Sequence, residues 1–388
     1  MRIAILTTDS REHFKDYVNP TPYFGTAPAA LLHGFALLPE VEVHVISCVQ
    51  QPLNSPGKIA PNIFYHNLIV PKFGWMRTLY QGCIRATRKK LREINPDIVH
   101  GQGTERDCSI SAIYSGFPNV LTLHGNMRSV ARINGDGPFS YNWVAARLEG
   151  FVLPRTDGVV CITNYTRDKV RGLARRTWLV PNAVDASFFD VQAAPDLTAP
   201  PVGLCVGTIC GYKNQNDFIR ALDPLAKEKK FKLVFIGQVI KGDYGREFLQ
   251  LVREREWCEH IGFVNREQLK ARLKAASFLA LPTREDNCPM VVLEAMAAGV
   301  PVLASKIGGV PDLIESEKTG LFCDPDRPES FCEGVEKILA DQKFAQQLAA
   351  AAKAEALHRF HPQVVARRHV EIYQGLLHER GATIHGHR

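Results

Sequence analysis

No apolar run in this 388-residue sequence approaches the length of about eighteen residues that a membrane-crossing helix needs. The ten cysteines (48, 83, 108, 161, 205, 210, 258, 288, 323 and 332) contain no CxxC pair, and several stand inside apolar runs such as GLCVGT. Their scatter argues against a disulfide framework or a zinc site and reads as buried thiols in a reducing cytoplasm. Nucleic acid is set aside as a partner because no recognisable binding motif is present and the basic residues are not interleaved with aromatics. No short-period repeat exists beyond two similar halves. A signal peptide's apolar core is lacking as well, since MRIAILTTD is a strand signal that runs into polar sequence too soon. A cytoplasmic location is expected.

What is present has the composition of a soluble globular chain, with 45% hydrophobic and 22% charged residues and no sign of bulk disorder. The length exceeds what one core supports, so two domains are expected. A formal charge of +7 favours acidic partners, either phosphates or an anionic membrane surface. Short β-branched runs recur between helical stretches: RIAILTT, VEVHVISC, DIVHG, NVLTLHG, GVVCITN and WLVPN, then VGLCVGT, KLVFIG, HIGFV, SFLALPT, VPVLAS and GLFCDP. Apolar strands alternating with helices are the mark of parallel sheets covered on both faces. The expected fold is α/β, with two facing Rossmann-like, doubly wound domains at 1–190 and 204–362, joined by the proline-rich linker 191–203. The end of the second domain turns helical from Pro328 to about Leu357, an amphipathic helix covers 363–380, and the tail ERGATIHGHR is expected to fray.

Ligands of such sheets gather outside the carboxyl ends of the strands, which places the site in the cleft between the domains. The stretch LPTREDNCPMVVLEAMAAGV, 281–300, poses the sharpest question. Pro289 suits a helix start and Gly299 its end, so the helix is predicted over Pro289 to Ala298. Glu294 lies on it with only Met290, Val291, Ala297 and Ala298 at helical spacing, so no ion pair is available on its own helix. Its carboxylate either points at water or has another purpose. Asp286, Asn287 and Cys288 precede this helix, whose free N–H groups favour an anion. GTICGYKNQ, after another strand, adds Gly207, Gly211 and the point charge of Lys213, which could equally be a solvated loop lysine. His124 ends the strand NVLTLHG, either as a site residue or as a satisfied structural donor, and Gly25 in YFGTAP permits close backbone approach just before a helix.

The segment EDNCPMVVLEAMAAGVPVLASKIGGVPDLIESEKTGLFCDP resembles the signature region of retaining glycosyltransferases of the GT-B fold, family 4 (glycosyl transferases group 1). PDIVH, CITNYTRDKV, VPNAVD and GTICGYKN support the likeness, and HPQVVARRHVEIY is similar to the family's closing helix, which returns to the N-terminal domain. The resemblance implies an acceptor-side first domain and a nucleotide-sugar-binding second domain. It implies that Glu294 accepts hydrogen bonds from ribose hydroxyls and that Asp286, eight positions earlier, contacts the donor sugar. Glu285 is an alternative register. Backbone amides from Asn287 and Cys288, past Pro289, to Met290 would approach the sugar or diphosphate. Lys213 matches the family's phosphate lysine, His124 the histidine near the reacting centre, and Gly25 the glycine-rich loop against the diphosphate. Two positions depart from the pattern. Thr208 stands in the donor site where an arginine or lysine is common, and the first loop has one glycine flanked by Phe24 and Thr26 instead of a pair.

The activity implied is hexosyl transfer (EC 2.4) with retention, from a UDP- or GDP-linked sugar to a glycan, lipid-linked or small-molecule acceptor, in polysaccharide or glycoconjugate synthesis such as that of the cell envelope. No DxD pair is placed to hold a metal, and DPD at 324–326 reads as turn chemistry, so neither a metal nor a cofactor is expected. A nucleotide-sugar 2-epimerase of the same architecture and a catalytically silent nucleotide-sugar binder are the alternatives. Residues 70–92 join aromatics that look exposed to Arg77, Arg85, Arg88, Lys89, Lys90 and Arg92, a pattern of either peripheral contact with the inner face of a membrane or a solvated helix face.

Overall fold

A computed structural model of the chain describes residues 1–133 and 135–385. The chain divides into two compact units, one formed by Met1–Ala183 with Pro362–Arg388 and the other by Val184–His361.

The first unit is built on an eight-stranded sheet of order β3-β4-β2-β1-β5-β6-β7-β8. Its strands are β1 (Arg2–Leu6), β2 (Glu42–Val49), β3 (Lys58–Ala60), β4 (Ile63–Ile69), β5 (Ile98–Gln102), β6 (Asn119–Leu123), β7 (Gly158–Cys161) and β8 (Thr177–Leu179). All pairs are parallel except β3 with β4. Strand periodicity divides the core in two. Ile3 and Ile5 join Val43, Val45 and Ile98 on one face, whereas Ala4 and Leu6 join Ile46, Val99 and Leu121 on the other. Covering on both faces is why these strands read as continuous apolar runs.

The helix Pro362–His385 belongs to this first unit, so the chain returns to its starting domain as expected. Val365, Ala366, Tyr373 and Leu376 bury themselves against Leu31, Phe35 and the sheet. At Gly34, in the helix Thr26–Ala36, a Cβ would stand 2.1 Å from the carbonyl oxygen of Pro362, so only glycine lets the two helices meet there. The helix continues through part of the tail expected to fray, and residues 386–388 of that tail lie outside the described residues.

The second unit carries a fully parallel sheet of order β11-β10-β9-β12-β13-β14. Its strands are β9 (Val202–Val206), β10 (Lys232–Ile236), β11 (Cys258–His260), β12 (Phe278–Leu281), β13 (Val302–Ser305) and β14 (Leu321–Cys323). The strand expected at HIGFV ends at its first residue, His260. The helical end is two helices, Glu329–Ala340 and Gln342–Arg359, because the Asp341 side chain accepts from the Phe344 N–H and restarts the helix. Before β9 the backbone of residues 193 and 194 bonds to the carbonyls of Ala298 and Lys274.

In the segment 70–92, two 3-10 turns, Lys72–Gly74 and Met76–Thr78, precede the helix Gln81–Ile94. Cys83, Ile84, Thr87, Leu91 and Ile94 form its inward stripe, while Arg85, Arg88, Lys89 and Arg92 are exposed. Two of the aromatics that looked exposed, Trp75 and Tyr80, are in fact buried, and Phe73 and Leu79 are the apolar side chains left outside. Among the described residues no helix is long and apolar enough to cross a membrane.

Candidate active site

In the second sheet the strand order reverses between β9 and β12, and the loops after these two strands carry most of the residues singled out from the sequence. After β9 a 3-10 turn, Gly211–Lys213, ends at Asn214, a non-glycine residue in the left-handed region (φ 62°). The Tyr212 carbonyl accepts from the Arg284 N–H at 2.7 Å and from the Thr283 hydroxyl at 3.1 Å, and Asn214 Oδ1 accepts from Arg284 Nε at 3.2 Å. These bonds lace the two loops together and set Lys213 Nζ 2.5 Å from Asp286 Oδ2. Both side chains are largely buried. The Asp286 backbone is fixed from a third loop, where the Gly309 N–H donates to its carbonyl at 3.0 Å. Beside it a Cβ on Gly308 (φ 56°) would fall 2.0 Å from that same oxygen, so any side chain there would displace Asp286.

Thr208 is exposed, and its carbonyl accepts from Gln215 Nε2 at 3.0 Å. Arg284 does not replace the cation missing at 208, because its guanidinium is committed to Asp326 at 2.7 Å and Asp217 at 3.3 Å. Glu285, the alternative register, is half-buried, and its carbonyl accepts from the Thr283 hydroxyl. Asn287 is half-buried, Cys288 and Pro289 are buried and Met290 is partly exposed. The helix that follows is Met290–Ala298, with Pro289 as its N-cap (ψ 111°) instead of its first residue. Gly299, left-handed at φ 74°, ends it. The Val292 N–H donates to the Pro289 carbonyl at 3.1 Å, and the N-terminal end of the helix dipole favours an anion.

Glu294 lies on the inward side of this helix, 7% exposed, between Leu293 and Ala295, which are fully buried. Among the described residues its carboxylate has no hydrogen-bond partner, and burial pushes its pKa up to about 7. The sequence shows no cation on its own helix, but folding brings Arg266 near, from the helix Arg266–Ala275, together with Asp185 from the VPNAVD segment. Arg266 Nη1 bonds Asp185 Oδ2 at 2.7 Å, so its charge is divided between two acids.

At the carboxyl edge of the first sheet, His124 follows β6 and its Nε2 bonds Gln102 Oε1 at 2.8 Å. Burial lowers the imidazole's pKa to about 4, against a smaller opposing effect of the Asn182 side chain, so the ring is neutral at pH 7. Gln102 bonds in turn to His100, whose ring joins Thr122 at 2.7 Å and Tyr373 of the returning helix at 2.5 Å. Glu149, from the helix Tyr141–Val152, holds the loop that carries His124. Its carboxylate accepts from Thr104 (2.9 Å), Asn126 (3.1 Å), the Met127 N–H (2.9 Å) and Arg128 (3.0 Å). Gly25 caps the helix Thr26–Ala36, and a Cβ there would meet only Pro28 at 3.7 Å, so local packing does not demand glycine.

Lys213, Asp286 and the helix of Glu294 therefore share one edge of the second sheet, and His124 lies at the carboxyl end of β6 in the first. The sequence did not single out Glu149, Gln102, Asp185, Arg266 or Gly308. Glu149 carried a signal, since an acid sits on the stripe Ala145, Leu148, Glu149, Val152.

Two α/β units built on parallel sheets, with charged loops at the carboxyl edges, have the architecture of the GT-B fold. The family model of glycosyl transferases group 1 matches residues 191–355 and that of glycosyltransferase family 4 matches 36–188, and the chain belongs to this family. An uncharacterized glycosyltransferase of Methanocaldococcus jannaschii is 30% identical over 44% of each chain. Glycogen synthase of Mycobacterium tuberculosis is 26% identical over 77% of this chain and 75% of its own. Among solved structures, sucrose-phosphate synthase from Thermosynechococcus elongatus matches with a TM-score of 0.76 at 19% identity, covering 98% of this chain and all (100%) of that one. Anabaena HepE in complex with UDP and glucose matches with a TM-score of 0.69 at 17% identity, covering 96% and 99%.

Proposed function

We propose that this glycosyltransferase moves a sugar from a nucleoside-diphosphate donor, UDP- or GDP-linked, to an acceptor hydroxyl, with retention at the anomeric carbon and without a metal ion in the transfer. The observation that carries this reading is Glu294, a buried carboxylate with no hydrogen-bond partner in the protein among the described residues. Buried acceptors are rarely left unmade, and a ribose supplies two adjacent hydroxyl donors to an ionised acid. The UDP and glucose bound by HepE support a donor of this kind.

Donor binding would exchange partners at the Lys213–Asp286 pair. The diphosphate takes the ammonium, and Asp286 is released to accept from hydroxyls of the sugar. As the anomeric bond breaks, negative charge grows on the diphosphate, where Lys213 and the amides from Asn287 to Met290 meet it. The acceptor attacks from the face the diphosphate leaves, and a phosphate oxygen takes the acceptor's proton. His124, neutral at pH 7, orients the sugar and is not the base. Gly25 leaves room for the diphosphate to approach the backbone.

Polysaccharide or glycoconjugate synthesis is the setting proposed. Exposed Arg85, Arg88, Lys89 and Arg92, with Phe73 and Leu79, support peripheral contact with an anionic membrane carrying the acceptor. The test is calorimetry with UDP and GDP, followed by incubation with labelled donors. Saturable binding of one nucleotide and its release on addition of an acceptor are expected, at a rate that added Mg²⁺ or Mn²⁺ does not raise. A sugar changed without acceptor would instead make the chain a 2-epimerase. Binding with neither outcome would make it a silent binder, as Thr208 allows, and binding of neither nucleotide would overturn the reading.

A further inference from the structure

Among residues not assigned to sugar transfer, folding groups two of the scattered cysteines with a carboxylate. Cys48 lies near the end of β2, Cys83 in the first turn of the helix Gln81–Ile94, and Asp107 at the start of the helix Asp107–Ile113. All three are buried, at 6%, 0% and 6% exposure, and both thiols belong to an apolar cluster with Leu6, Ile46, Trp75, Tyr80 and Ile84. The two Sγ atoms and a carboxylate oxygen lie within 4.8 Å of one another, the only such trio of metal-capable donors among the described residues.

We propose that Cys48, Cys83 and Asp107 bind one divalent cation of the zinc type, at a site that uses none of the residues assigned to sugar transfer. A tetrahedral zinc ion holds sulfur at about 2.3 Å and carboxylate oxygen at about 2.0–2.2 Å, so its sulfur ligands stand about 3.8 Å apart. The observed grouping needs to contract by no more than about 1 Å to reach that spacing. Three protein donors and one water complete the coordination. Thr87 Oγ1, 3.7 Å from Cys48 Sγ, is placed to hydrogen-bond the ligating sulfur.

Charge favours the ion over a disulfide. Two thiolates, one carboxylate and a divalent cation sum to a single negative charge, and the guanidinium of Arg106, next to Asp107 in the chain, balances it. A Cys48–Cys83 disulfide would need an oxidant and would leave the carboxylate among apolar side chains with no new partner. In the binding step each thiol gives its proton to solvent as its sulfur ligates, and no electron moves. The ion would fasten the helix Gln81–Ile94, which carries the exposed basic face, to the end of β2 and to the helix Asp107–Ile113. Spacing along the chain gives no sign of this site, because its donors come from three separate elements.

The test is a Co²⁺ titration of the full chain after treatment with chelator and reductant. A sulfur-to-cobalt charge-transfer band should saturate at one ion per chain, release about two protons, and vanish when Zn²⁺ is added. Asp107→Asn, nearly isosteric, should weaken Co²⁺ binding by at least about tenfold, the lower end of what loss of even an outer-shell partner costs. The double variant Cys48→Ser, Cys83→Ser should lose the band while the remaining eight of the ten cysteines stay in place. Absence of the band, an undiminished band in the double variant, unchanged affinity in Asp107→Asn, or a Cys48–Cys83 disulfide in the purified protein would overturn the proposal. Nucleotide calorimetry on the same samples reads the transfer site independently.

Discussion

Glu149 and Glu294 are both glutamates on apolar helix faces, 0% and 7% exposed, and the fold treats them in opposite ways. Glu149 receives hydrogen bonds from Thr104, Asn126, Met127 and Arg128, so every donor it needs comes from the protein. Glu294 receives none among the described residues and is left with the electrostatic influence of Arg266 and Asp185. A buried acid whose bonds are all made within the chain is a brace. One left without them is a receptor for donors that arrive from outside. The same contrast separates the two sheet edges, since the His124 ring is held by Gln102, whereas among the described residues the side chains of Lys213 and Asp286 hydrogen-bond each other.

The largest effect should come from removing the brace. Glu149→Ala strands an arginine, an amide, a hydroxyl and a backbone N–H at once. Loss of one partner of a buried pair costs about 3–5 kcal/mol, and the partial exposure of Arg128 places the expected loss near the lower end. Urea denaturation should show a lower midpoint at constant slope. A midpoint equal to that of the parent would mean that the loop carrying His124 is held by something else.

Next in size is Lys213→Ala. Loss of one preorganised donor to developing charge costs roughly 2.7–4 kcal/mol of barrier, so turnover should fall by about a hundredfold to a thousandfold. Nucleotide affinity should fall far less. If turnover is unchanged, Lys213 only holds Asp286, and the second edge is braced in the same manner as the first.

The fold was largely legible because buried parallel strands are continuous apolar runs, and those runs fall on eleven of the fourteen strands among the described residues, while HIGFV meets β11 only at His260. The pair β3 and β4 escaped because IFYHNLI interrupts its apolar positions with His66 and Asn67 near the sheet edge and lacks the continuous signature. At the site, Lys213, Asp286 and Glu294 stood out through strand ends and helix signals, and His124 through its place after β6. Their partners did not. Arg266 comes to Glu294 from another helix, and Glu149 reaches Asn126 across 23 positions, so neither pairing follows any local period. Gly308 lies inside the segment 285–325, but its reason, the approach to the Asp286 carbonyl, exists only once three loops meet.

The smallest expected effect has the opposite sign from the first. Burial lifts the pKa of Glu294 in the folded chain to about 7 from an ordinary value of 4.5. Near pH 4 the acid is protonated in both folded and unfolded chains and changes nothing. As pH rises, the unfolded chain loses its proton first, so stability declines through this window and the full penalty is present above about pH 7. A rise of about 2.5 pH units corresponds to about 3 kcal/mol as an upper limit. Glu294→Gln should therefore raise the urea midpoint at pH 8 and leave it unchanged near pH 4. The same variant should bind nucleotide more weakly at pH 8, because a neutral amide is a poorer acceptor for ribose hydroxyls. Affinity of the parent should decline as pH falls through 7, and that of the variant should stay flat. Should Glu294→Gln lower stability at pH 8, as Glu149→Ala does, then Glu294 has a protein partner after all and the division into brace and receptor fails.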